Sequence, residues 1–103
     1  MTITETRIRL IEGDGKLLAV ASVTFDDCFV VHDIKVILGA NGVFVAMPSR
    51  KAGEGEFKDI AHPLNTETRT MVHNAVMGAF NEKMRAEMQS DSPVADQIAA
   101  KLF

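Results

Sequence analysis

From Ile3 to Ile11 the chain alternates, with Thr4, Thr6, Ile8 and Leu10 on one side and Glu5, Arg7 and Arg9 on the other. That is the period of a strand with one face in water. Gly13-Asp14-Gly15 interrupts it, and the β-branched apolar run from Leu17 to Phe25 predicts a second strand. Asp26-Asp27 reads as a tight turn into a third, Cys28 to Leu38. There Val30, Ile34, Val36 and Leu38 form the apolar face, Asp33 and Lys35 point the other way, and His32 falls in the apolar set. Gly39-Ala-Asn-Gly42 carries an Asn-Gly hairpin signal, and Val43 to Met47 is a fourth strand stopped by Pro48.

After Pro48 the pattern breaks into a glycine-rich loop opened by Arg50 and Lys51, and Phe57 to Ala61 reads as a short extended piece. His62 precedes Pro63, which disfavours helix there. Asn65 is a good N-cap, Glu67 suits the positive end of a helix dipole, and Val72, Ala75, Val76, Ala79, Phe80 and Met84 recur at helical spacing. This predicts a helix over 66–88 lying across the sheet. Ser90-Asp-Ser-Pro93 reads as a linker and cap, and 94–103 as a short amphipathic helix that would be marginal alone. The expected fold is α+β: an antiparallel meander of four to five strands within 3–61, one main helix on the sheet, then a linker and short C-terminal helix or tail over 89–103.

At 103 residues, 47% hydrophobic and 24% charged, the chain suits one globular domain with a small core. Its net charge of -3 repels a polyanion on average, so any nucleic-acid site must be a local cluster of basic residues. A single cysteine, Cys28, excludes an internal disulfide and a cysteine-based zinc cluster, and reads as a small core residue in a reducing cytosol. With no signal-peptide pattern and no apolar run of about 18 residues, the expectation is a cytoplasmic protein with no membrane contact.

Candidate chemistry is sparse. Cys28 and His32, four apart on a strand, would lie about 13 Å from each other, too far to share an ion. His32 reads as a core histidine bonded to backbone, His62 as a turn-stabilising residue beside the basic loop, and His73 as a surface residue on the helix. Ser22 and Ser49 lack the context of a nucleophile, and the Gly53-Glu-Gly55 stretch lacks the lysine of a P-loop. No enzyme, cofactor or small-molecule substrate is expected. A metal-dependent hydrolase using His32, His62 and Asp33 or Asp59 is the weakest alternative. The basic residues carry more: Arg50, Lys51 and Lys58 bracket the loop. Arg69, in the first helical turn, opposes the helix dipole unless it serves packing, an ion pair or an external anion.

Three blocks, Phe29 to Ile37, Gly42 to Lys51 and Gly55 to Pro63, resemble the SpoVG family of septation proteins in order and spacing, within similarity running from about Ile3 to Phe80. The resemblance implies a dimeric bacterial regulator of cell division, sporulation or virulence genes that binds DNA and, in some members, RNA. It places the family's basic pair at Arg50 and Lys51, a further basic residue at Lys58, and the arginine after the His-Pro turn at Arg69. The chain departs from the family in Ala52-Gly53-Glu54, where Thr-Pro-Asp is usual, and in a helix without the extra basic residues of some relatives. Nucleic acid would then be held by Arg50, Lys51, Lys58 and Arg69, doubled in a homodimer paired through a sheet edge. Base stacking is not expected, because most of the phenylalanines fall at core positions. The rival reading is a protein-interaction module without nucleic-acid binding.

Overall fold

The computed structural model describes residues 1–102. Strands β1 (Ile3–Leu10), β2 (Leu17–Phe25), β3 (Phe29–Gly39) and β4 (Gly42–Ala46) form one antiparallel meander in the order β1-β2-β3-β4, as the alternation predicts. The turns follow local chemistry. Asp26 and Asp27 both have positive φ, and the Cys28 amide donates to the Phe25 carbonyl at 3.0 Å, closing a tight turn within the three-residue connection between the paired Phe25 and Phe29. At the β3–β4 hairpin Gly39 pairs with Gly42, so Ala40 and Asn41 make the turn and Gly42, at φ 120°, follows it. A Cβ on Gly39 would fall 2.9 Å from the Phe44 ring, so only glycine lets that ring lie over the turn.

Helix α1 (Thr66–Gln89) begins where Asn65 predicts: its side-chain oxygen accepts the Thr68 amide at 2.8 Å. Val72, Val76, Phe80 and Met84 form a buried stripe one turn apart, facing Leu18, Ala19, Ala21, Val23, Ile34 and Val36 of the sheet. Helix α2 (Pro93–Leu102) is part of the core, with Ala95 and Ile98 fully buried. It also ties down the β1–β2 loop: Gln97 Oε1 accepts the Gly13 amide at 3.1 Å, and Lys101 Nζ donates to the carbonyls of Gly13 and Gly15 at 2.6 and 2.7 Å. These contacts supply what a ten-residue helix lacks alone. Phe103, the last residue of the expected C-terminal helix, lies outside the described residues.

In the four-stranded sheet simple alternation fails at three bulges. In β3, His32 and Asp33 together oppose Ser22, because Val31 pairs with Val23 and Ile34 with Ala21. The extra residue reverses the phase of the strand: Val31 turns inward while Val30 and His32 turn outward. The expectation that Val30 and His32 belong to the apolar face is therefore corrected. Cys28, expected in the core, is exposed beside the hairpin turn. Similar shifts bury both Leu18 and Ala19 in β2 and bring Ile3 of β1 against the core.

The stretch after Pro48 is the second correction. It is a separate two-stranded hairpin, β5 (Ser49–Gly53) and β6 (Glu56–Asp59), with Gly55 at φ 72° in its two-residue turn. Arg50 and Lys51 are thus strand residues of an ordered arm. The Ile60 amide donates to the Pro48 carbonyl at 2.7 Å and closes its base.

Candidate nucleic-acid interface

Strand register sets the geometry of the basic residues. Arg50 lies directly opposite Lys58, and Lys51 opposite Phe57, so alternation puts Arg50 and Lys58 on one face of the arm and Lys51 on the other. Like charges directly opposite weaken a hairpin. Glu54, Glu56 and Asp59 are close in sequence, yet among the described residues none of Arg50, Lys51, Lys58 or Arg69 has an ion pair. Every residue of β6 and all of β5 but Ser49 are exposed. Only Arg50 and Lys58 form a pair, and Lys51 stands on the other face of the arm, so the four cations do not form one cluster.

Arg69 is placed elsewhere. Its guanidinium donates to the Pro63 carbonyl at 3.4 Å, a long contact, and it lines a cavity of about 140 Å³ with Phe44, Val45, Met47 and His73. The cavity sits between α1 and β4, the outer strand of the sheet. Part of the tension between Arg69 and the helix dipole is thereby relieved by a backbone acceptor. His62 behaves as expected: its Nδ1 donates to the Pro63 carbonyl at 2.9 Å and holds the turn before α1. Among the described residues no three His, Cys, Asp or Glu side chains gather as metal ligands, and no helix is long and apolar enough to cross a membrane.

Sequence reasoning missed the aromatic surface. Phe57 is 69% exposed on the arm, and Phe29 and Phe44 are exposed on the sheet. The argument against base stacking, that the phenylalanines are core residues, holds for Phe25 and Phe80 but not for these three. Ile60 and Leu64, at and beyond the arm's base, are exposed too. One signal was available: Phe57 sits among charged and glycine residues, where no apolar period accounts for it.

The two edges of the sheet also differ. Outer strand β1 carries Glu5, Arg7 and Arg9, whereas outer strand β4 reads Gly-Val-Phe-Val-Ala with no charge. Charged side chains are a common device against edge pairing, so β4 is the edge left open to a second strand.

Comparison with known proteins agrees with the block resemblance. The SpoVG family model matches residues 1–82. A Caldicellulosiruptor bescii protein named "Putative septation protein SpoVG" is 59% identical over 86 residues, covering 84% of this chain and 98% of the relative. A Clostridium kluyveri protein of the same name is 52% identical over 96 residues, covering 93% of this chain and all of the relative. A third, from Alkaliphilus oremlandii, is 54% identical over 92 residues. The chain, with its meander, its crossing helix and its exposed basic arm, belongs to the SpoVG family.

Proposed function

We propose that this protein is a cytoplasmic, dimeric, non-enzymatic nucleic-acid-binding regulator acting in septation, the process its relatives' names indicate, and in sporulation, as the family resemblance implies. The observation that carries the binding reading is Arg50 facing Lys58 across an exposed hairpin, a local cost with neither side chain ion-paired among the described residues. A phosphate between the two side chains turns that repulsion into attraction. Lys51 beside Phe57 offers a second contact on the opposite face, where a ring lies next to a cation. Arg69 is the weakest member, because Pro63 already engages it. Dimerisation through the uncharged β4 edge doubles the set on a protein whose net charge is -3. The reading favours phosphate contact with modest sequence preference, on DNA or RNA.

Replacing Arg50 and Lys51 together with alanine should weaken binding across unrelated sequences and flatten the salt dependence by roughly 0.9 log units per lost contact. Gel-shift titrations at two salt concentrations measure both, and unchanged affinity with an unchanged salt slope would sink the assignment. Exposed Phe57, Ile60 and Leu64 favour a second reading, a protein-interaction module. That reading wins if no retardation is seen even at low salt.

A further inference from the structure

The β3 bulge is unexplained by the basic arm. A central strand carries a non-glycine residue, Asp33, at φ 62°, a conformation that costs about 1–3 kcal/mol and persists where surrounding structure enforces it. Its consequence is specific: the ring of His32, which plain alternation would bury, is delivered to the sheet face opposite α1. There its Nδ1 lies 2.8 Å from Ser22 Oγ. Arg7 is the cross-strand partner of Ser22 on β1, and Arg9 is two residues further along the same face. Two neighbouring open concavities, of about 410 and 310 Å³, share Arg7, Ser22 and His32 as walls, and Arg9 lines the second.

The donors converge whichever tautomer the ring adopts. If Nδ1–H donates to Ser22, the hydroxyl proton is free to point outward; if Ser22 donates to Nδ1, the Nε2–H is the free donor. Arg7 Nε is held by Glu5 at 2.9 Å, which leaves its terminal nitrogens for a ligand, and Arg9 has no ion pair among the described residues. Glu5, Asp27 and Asp33 also border the concavities, so three carboxylates stand among the two guanidinium groups and the net charge does not favour an anion. Attraction here must come from short, oriented hydrogen bonds rather than from a long-range field. Two guanidinium groups beside one hydroxyl–imidazole pair match the several acceptor oxygens of a phosphate.

We propose that this concavity is a phosphate-binding site, with Arg7 and Arg9 as the charged donors, Ser22 as the neutral donor and His32 as the group that orients or supplements it. Its ligand is a phosphate carried either by a free nucleotide or by the backbone of a single-stranded nucleic acid. The site is distinct from the basic arm and does not depend on the arm's role.

Backbone-amide NMR of the full chain tests it, with inorganic phosphate, adenosine monophosphate and a short single-stranded oligonucleotide as probes. Saturable shifts centred on Arg7, Arg9, Ser22 and His32 are expected with at least one probe. Arg9→Ala and Ser22→Ala should each weaken that binding about tenfold, with shifts elsewhere showing an intact fold. Shifts confined to Arg50, Lys51 and Lys58 would belong to the arm and count against this site, which separates the two. Tighter binding of the oligonucleotide identifies a chain phosphodiester as the source, and tighter binding of the mononucleotide a free nucleotide; either supports the site. No saturable shift with any probe, or shifts indifferent to both single variants, would overturn it.

Discussion

The body and the arm of this protein obey opposite rules. In the body, a stripe of four α1 residues and the inner faces of β2 and β3 exclude water, and even the last helix contributes fully buried side chains. In the arm, strands β5 and β6 pair only with each other, keep almost every side chain in water and oppose two cations. An isolated two-stranded hairpin is marginal in water. The body therefore carries the stability of the fold, and the arm supplies little of its own.

The contrast can be broken most severely from the core. Phe80 is 2% exposed, and Phe80→Ala should cost about 3–5 kcal/mol by urea denaturation, a large share of a small domain's stability. Ile98→Ala should cost about 2–5 kcal/mol in the same assay and accelerate amide exchange in the Gly13 loop that α2 holds. A near-zero change would mean that α2 is an appendage rather than part of the core. Losing the N-cap in Asn65→Ala should cost about 1 kcal/mol, read as a lower denaturation midpoint at unchanged slope.

Charge reversal in the arm sharpens the comparison with the smallest stability change. Lys58→Glu turns a like-charge pair with Arg50 into an attractive one, so the hairpin should gain about 0.2–1 kcal/mol, seen as slower amide exchange within 49–59. Nucleic-acid affinity should fall at the same time. A loss of hairpin protection would show that repulsion between Arg50 and Lys58 is not what limits the arm.

Much of the body was legible because periodicity reports burial. The four strands, the Asn65 cap and the helix over 66–88 each follow from a repeat of apolar positions or a local hydrogen bond. The bulge at His32-Asp33 was not legible, since one extra residue leaves composition untouched while exchanging the faces of the residues before it. Exposed Cys28, Val30, His32, Phe29 and Phe44 all depend on where strand phase changes or where the covering helix ends. The arm was half legible: the basic residues were found, but Ser49–Gly53 resembles a loop because its glycine and charged residues obscure any strand period.

The amino-acid sequence by itself determined the order of elements, the buried stripe of α1 and the identity of the cations after Pro48, because these rest on local spacing and side-chain chemistry. Only the tertiary structure decided that Arg50 faces Lys58, that Arg69 stands apart beside β4, and that His32 meets Ser22 on the open face. Those placements depend on register, and register is a relation between strands: one inserted residue moves a side chain from core to solvent without changing the chemistry of any residue.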